Sequence, residues 1–289
     1  MSVSHGGRVQ LIESPRDAMQ GWKTFIPTAK KILYLNSLLK VGFHTLDCGS
    51  FVSPKAIPQL ADTKEVVKRL SLQGSKTRLL VIVANLRGAG EAASFEQISY
   101  LGFPFSISPT FQRRNTNSTI EESEKSLEQI QNLCVKTKKE LVVYLSMAFG
   151  NRYGDPYEEE TLLDWADEMV KKDIKIISLA DTIGIATPDQ INFALNTLIT
   201  AFPQCTFGIH LHASEVNWQN KLAAAVEAGC KRFDGAVKGI GGCPMAEDEL
   251  IGNMNTEWML DYFKGLRLLP AIDEDALSEA LLLADEIFI

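Results

Sequence analysis

Nowhere in the 289 residues does an apolar run reach the ~18 residues that a membrane-crossing helix needs. The opening segment, Met1 to Gly7, is polar and lacks the apolar stretch of an export signal, so the expectation is a cytoplasmic protein with no membrane partner. Cysteine is scarce. The five present, Cys48, Cys134, Cys205, Cys230 and Cys243, are odd in number and irregularly spaced, which speaks against a disulfide framework or a paired zinc knuckle. Positive charge is also short: 29 Lys and Arg face 36 Asp and Glu, a formal balance of −7. That removes the broad basic surface on which a nucleic-acid binder relies. Histidine is the rarest titratable type, with four in the chain, and two of them share the tripeptide His210-Leu211-His212.

What is present is ample apolar material, 45% of residues, enough for a large core, and no linker-like shift in composition. A single domain over residues 1–289 is expected. Eight apolar, β-rich runs recur: Val9 to Glu13, Thr45 to Phe51, Arg78 to Ala84, Ile98 to Phe103, Leu141 to Met147, Lys175 to Leu179, Thr206 to Leu211 and Arg232 to Val237. Helical spacing of apolar residues separates most of them, as in Ile26 to Leu39, Glu65 to Leu70, Glu121 to Val135 and Glu159 to Val170. Asp62 with Glu65 and Thr119 with Glu122 have capping-box spacing, and Thr187-Pro188 reads as an N-cap followed by the first helical position. Gly42, Gly102 and Gly229 are placed at element ends.

Strands that are continuously apolar need cover on both faces, which points to a parallel sheet wrapped by helices. The α/β class with closure into a (β/α)8 TIM barrel is the expected fold, and Asp273 to Ile289 is expected to form a rim helix. A doubly wound open sheet is the alternative. Against it, Glu13-Ser14-Pro15-Arg16-Asp17 follows the first strand where a glycine-rich dinucleotide fingerprint would stand.

In a barrel, chemistry gathers at the carboxyl ends of the strands. There the chain offers Arg16 and Asp17, Asp47, Asn85, Ser146, Asp181 with Thr182, and His210 with His212. Gly239-Ile-Gly-Gly-Cys243-Pro244 and then Asn253 follow the last strand. Residues i and i+2 of a strand share a face, so both imidazoles can converge on one ion. Asp17 would be near them, since only strand eight separates strands one and seven in a closed ring. With a carbonyl oxygen from Asn253 the set is mixed nitrogen and oxygen, suited to Mg2+ or Mn2+ and tolerant of Zn2+ or Co2+. Each feature also has a plainer reading: strand-end histidines, an ordinary Arg16–Asp17 salt bridge, and an inert loop thiol at Cys243.

Taken in order, Glu13-Ser-Pro-Arg-Asp-Ala-Met-Gln20, Ser50-Phe-Val-Ser-Pro-Lys55, Asn115-Thr-Asn-Ser-Thr-Ile-Glu-Glu-Ser123, Asp181-Thr-Ile-Gly-Ile-Ala-Thr-Pro188, His210-Leu-His212, Gly239-Ile-Gly-Gly-Cys-Pro244 and Gly252-Asn253 carry a resemblance over nearly the whole chain. The sequence resembles the 3-hydroxy-3-methylglutaryl-CoA lyase branch of the DRE-TIM metallolyases. The resemblance implies that Asp17, His210, His212 and Asn253 bind a divalent cation and that Arg16 stabilises an enolate. It also implies that Cys243 acts as an acid from a loop and that Asp47 stands where the family has a glutamate. The chain departs from the family's Asp-Gly-Leu-Gln-Asn-Glu run at Asp17-Ala-Met-Gln-Gly-Trp22, and from its His-Asp-Thr-Tyr-Gly run at His212-Ala-Ser-Glu-Val-Asn-Trp218.

The activity implied is retro-Claisen cleavage of a β-hydroxy thioester to acetoacetate and acetyl-CoA, as in leucine breakdown and ketone-body metabolism. Asp47 or His210 would be the base. Substrate contacts are expected from Gln20, Asn85, Ser146, Asp181 and Thr182, and coenzyme A phosphate contacts from Lys23, Arg113 and Arg114. An acyl-CoA substrate and a second copy of the chain are the expected partners. A condensing enzyme of the same superfamily is the runner-up, opposed by the Gly-Gly-Cys-Pro loop and by a chain that stops soon after the barrel. An aldolase and a catalytically silent metabolite-binding barrel are further alternatives.

Overall fold

Leu79, Leu80 and Val81 are all fully buried, although successive residues of a strand face opposite ways. A strand of that kind must have apolar cover inside and out. The computed structural model describes residues 7–242 and 251–289 and supplies that cover by closing the sheet. In chain order its elements are β1 (Gln10–Glu13), α1 (Pro15–Gln20), α2 (Thr28–Val41), β2 (Thr45–Ser50), α3 (Thr63–Lys68), β3 (Arg78–Ile82), α4 (Leu86–Ala93) and β4 (Ile98–Ser106). Then come α5 (Pro109–Thr116), α6 (Ile120–Thr137), β5 (Glu140–Ser146), α7 (Glu159–Lys171), β6 (Ile176–Ala180) and α8 (Pro188–Ala201). The chain finishes with β7 (Thr206–His210), α9 (Trp218–Glu227), β8 (Arg232–Gly235), α10 (Thr256–Gly265) and α11 (Glu274–Ile287).

All strand pairs are parallel, and β1 pairs with both β2 and β8, so the expected (β/α)8 barrel is the one that forms. Most of the core lies between strands and helices, while Leu80, Ile82, Tyr100, Val142 and Ile176 form a separate cluster inside the ring. The expected rim helix is α11. It packs against α2, with Asp273 capping Ala276 N and its own backbone N–H donated to Val41 O at 2.9 Å.

The local signals hold at two of three helix starts. Thr119 and Glu122 form a capping box on α6, and Thr187 forms one with Gln190 on α8, with Pro188 first in the helix. Asp62 does not cap α3. Its carboxylate instead accepts from Thr28 Oγ1 at 2.7 Å and from Lys31 Nζ at 2.7 Å. Lys31 is buried, and an unpaired buried ammonium costs far more than an uncapped N–H.

Gly42 and Gly229 end helices with φ of 99° and 89°, as expected. Gly102 does not end a strand, because β4 continues to Ser106. A Cβ there would lie 2.6 Å from Ile82 Cδ1, so glycine permits the close pairing of β4 with its neighbours. Pairing of β3 with β4 stops at Gly102, which explains how β4 tolerates Pro104, whose missing N–H would fall beyond it.

Candidate active site

β1 gives way at Ser14 to the six-residue helix α1, whose first position is Pro15, a residue already fixed at helical φ. This turn sets Arg16 and Asp17 over the carboxyl end of the barrel, where β7 delivers His210 and, two residues on, His212. Asp17, His210 and His212 each turn one ligand atom inward, all within 4.8 Å of one another, and the cluster can hold a metal ion. Asn253 joins them through a bridge to His212. Its Nδ2 donates to Asp17 Oδ2 at 2.7 Å and to Ile240 O at 3.0 Å. Among the described residues its Oδ1 is buried without a partner, the condition expected of an oxygen reserved for a cation. Glycine makes the approach possible, since a Cβ on Gly241 would sit 2.7 Å from Asn253 Nδ2 and one on Gly252 would sit 2.4 Å from Gly239 O.

The electrostatics suit the same use. Burial works against the Asp17 carboxylate, but Arg16, His210 and the Asn253 amide outweigh it and hold its pKa down at about 2. Burial and the neighbouring His210 push His212 down to about 4, leaving it neutral near pH 7, the form in which an imidazole can bind a metal ion. His210 moves the other way: burial opposes its charged form, yet Asp234 and Asp17 prevail and raise its pKa.

Arg16 links this cluster to a second carboxylate. Its Nη1 donates to Asp17 Oδ1 at 2.9 Å and to Gln20 Oε1 at 3.0 Å, while Nε and Nη2 reach Asp47 Oδ2 at 2.9 and 2.6 Å. Asp47 Oδ1 is buried with no partner among the described residues. Burial raises the Asp47 pKa to about 6 in spite of Arg16, so this carboxyl group changes charge close to neutrality.

A cavity of about 140 Å³ opens beside these groups. Arg16, Asp17, Asp47, His210 and His212 line it, and so do Gln20, Ser146 and Thr182 among the residues expected to touch substrate. The Thr182 hydroxyl is engaged by Met147 N at 2.8 Å. Gln20 also borders an adjoining cavity that includes Lys23, whereas Arg113 and Arg114 line a separate groove at the end of α5. Asn85 and Asp181 are placed differently. Asn85 lies outside the cavity lining and caps α4 by accepting from Gly88 N. Asp181 is buried behind the wall, where Lys221 Nζ meets its Oδ2 at 2.6 Å. Cys243 lies outside the described residues.

Glu13, Lys221 and Tyr144 are among the residues that escaped the sequence reading. Glu13, at the end of β1, accepts from Val237 N at 2.8 Å and from Thr256 Oγ1 at 2.6 Å, clasping the two chain ends of the barrel. Lys221, on α9, donates to Gly184 O and His212 O, each at 2.9 Å, as well as to Asp181. Tyr144 of β5 stands edge-on to the His210 ring with centroids 6.1 Å apart. Glu13 carried a signal, a carboxylate within an otherwise apolar strand; Lys221 carried none, because lysine in a helix ordinarily reads as solvated.

Residues 8–283 match the model of the HMGL-like family. The chain belongs to that family. A cytoplasmic 3-hydroxy-3-methylglutaryl-CoA lyase of Rattus norvegicus is 30% identical over 275 residues, covering 94% of this chain and 79% of the relative. A hydroxymethylglutaryl-CoA lyase of Bacillus subtilis is 33% identical over 243 residues, covering 84% and 80%. Among solved structures, an HMG-CoA lyase from Acinetobacter baumannii in complex with coenzyme A and 3-methylmalate superposes with a TM-score of 0.90 at 29% identity, covering 100% of this chain and 93% of the other. Family membership and the Asp17, His210 and His212 cluster together accord with the divalent-metal dependence of HMGL-like enzymes.

Proposed function

We propose that the protein is a divalent-cation-dependent carbon–carbon lyase that cleaves 3-hydroxy-3-methylglutaryl-CoA to acetoacetate and acetyl-CoA. The observation that carries this reading is the meeting of two units on one cavity: Asp17, His210 and His212, with Asn253 hydrogen-bonded to Asp17 behind them, and the Arg16–Asp47 pair. A cation held by the first unit, Mg2+ or Mn2+ by its ligands, would polarise the substrate hydroxyl as a Lewis acid.

The protein's own groups account for the proton traffic. Asp47, with one free oxygen and a pKa near 6, accepts the hydroxyl proton; His210 is the second candidate base. The hydroxyl oxygen's electrons then form the ketone, the adjacent carbon–carbon bond breaks, and its pair passes to the thioester as an enolate. The Arg16 guanidinium, always charged, offsets that negative charge. Cys243 is assigned the return of a proton to the enolate carbon, which yields the methyl group of acetyl-CoA. Gln20, Ser146 and Thr182 are proposed substrate contacts.

The remaining parts of the reading are a single catalytic domain over 1–289, a cytoplasmic location and a homodimer. For location, no helix among the described residues is long and apolar enough to cross a membrane, and relatives include both cytoplasmic and mitochondrial lyases. The deciding experiment presents metal-stripped protein with 3-hydroxy-3-methylglutaryl-CoA, with and without Mg2+ or Mn2+. Appearance of acetoacetate and acetyl-CoA only with the metal is expected. No cleavage, with the metal bound, would overturn the substrate assignment.

A further inference from the structure

Two fully buried charges stand inside the barrel beneath the donor set, and neither has a hydrogen-bond partner among the described residues: the guanidinium of Arg232 and the carboxylate of Asp234. They are two residues apart on β8 and so share its inward face. On β7 the matching positions are Gly208 and His210, which pair in register with Arg232 and Asp234. Gly208 makes room. A Cβ there would lie 3.0 Å from both Cγ and Cδ of Arg232, so the arginine stem crosses β7 just below His210, and its head group reaches a point 5.9 Å from the Tyr100 ring centroid. One step nearer the mouth, Asp234 Oδ2 stands 3.5 Å from His210 Nδ1, a nitrogen with no other partner among the described residues.

Buried charges this costly persist when something requires them. A neutral imidazole carries one proton, and only the unprotonated nitrogen can bind a cation. A carboxylate at Nδ1 favours the proton there and leaves Nε2 bare for the site, the arrangement that orients many metal-bound histidines. We propose that Asp234 is a positioning residue for His210, fixing its tautomer and ring orientation, with Arg232 as the buried counter-charge that makes a carboxylate tolerable at this depth. The inference rests on the cation-site reading above and goes beyond it, to residues that touch neither substrate nor ion.

The test has two readouts that do not depend on turnover. In metal-free protein at a pH where His210 is neutral, ¹⁵N shifts of its ring report which nitrogen bears the proton; Nδ1–H is expected. A dominant Nε2–H form in the wild type would overturn the proposal whatever the variants do. Mn2+ titration followed by electron paramagnetic resonance then compares wild type with Asp234→Asn, which is expected to bind about 10- to 100-fold more weakly. Equal Mn2+ affinity in a folded Asp234→Asn sinks the positioning role while leaving the lyase reading intact. A wild type that binds no Mn2+ sinks both.

Discussion

Arg16 holds Asp47 by a single oxygen, Oδ2, with two of its nitrogens at 2.9 and 2.6 Å, and so leaves Oδ1 of the same carboxylate buried and, among the described residues, unengaged. The fork fixes the orientation of the proposed base without consuming it. Asp47→Asn keeps the shape and removes the proton acceptor, so kcat should fall by roughly two to four orders of magnitude. In the wild type, kcat should fall as the pH drops through about 6, where Asp47 becomes protonated. Its folded pKa lies above the ordinary 3.8, so its charged form costs stability above pH 6. Asp47→Asn should therefore unfold at no lower denaturant concentration than wild type at pH 8. A destabilised variant would mean that the loss of rate is structural.

Glu13 sets a second pH dependence, one of stability. Burial lifts its pKa from 4.5 to about 8, against hydrogen bonds from Thr256 and Val237. A raised folded pKa means that the contribution is full below pH 4.5 and is lost as the pH climbs through 8. Glu13→Gln can still accept from Val237 N and can donate to the Thr256 hydroxyl, so it should flatten that decline. Urea unfolding at pH 5.5 and 8 checks this: the wild type should lose stability between the two values, and Glu13→Gln should lose less.

Lys221 is expected to matter well beyond its place on a covering helix. Lys221→Met would leave the Asp181 carboxyl buried without its ion partner and would strand the carbonyls of Gly184 and His212. Breaking a buried pair from one side costs about 3–5 kcal/mol. Denaturant unfolding should show a loss of that size, and a double variant with Asp181→Asn should recover part of it.

Saturating cation should stabilise the fold. At a hundredfold excess over its Kd a ligand adds ~2.7 kcal/mol, which for a chain of this size is a rise in Tm on the order of 4–5 °C. Mn2+ should produce that rise in the wild type. In His212→Ala or Asp17→Asn it should produce little, and an equal rise in those variants would show that the ion binds elsewhere.

Cys243→Ser should lower kcat by roughly two to four orders of magnitude while leaving Mn2+ affinity within about twofold of wild type. Unchanged turnover would remove this thiol from the mechanism.

The strands were legible because their apolar runs are long, and their ends fell within a residue or two wherever a charged or turn residue followed. β4 ran longer than read because Gly102 and Pro104 resemble a terminator until the barrel shows that one needs no side chain there and the other no donor. Asp62 kept its spacing but lost its role to Lys31, a partner remote in sequence. Within the site, His210 and His212 announced themselves through strand periodicity, and Asp17 through its place after β1. Arg232 and Asp234 did not, since a charge at a strand end ordinarily reads as solvated. Only closure of the ring makes that position an interior, and no local pattern encodes closure.

The donor set is assembled from the two extremes of the chain: Asp17 and Asn253, joined at 2.7 Å, are 236 residues apart, and β1 waits for β8 to pair on its open side. During synthesis the first strand must therefore remain half-paired until almost the whole polypeptide has emerged. A chain interrupted before the last strand carries His210 and His212 on β7 but lacks Asn253 and leaves the strand leading to Asp17 with an open edge, so the donor set is complete only when the barrel is.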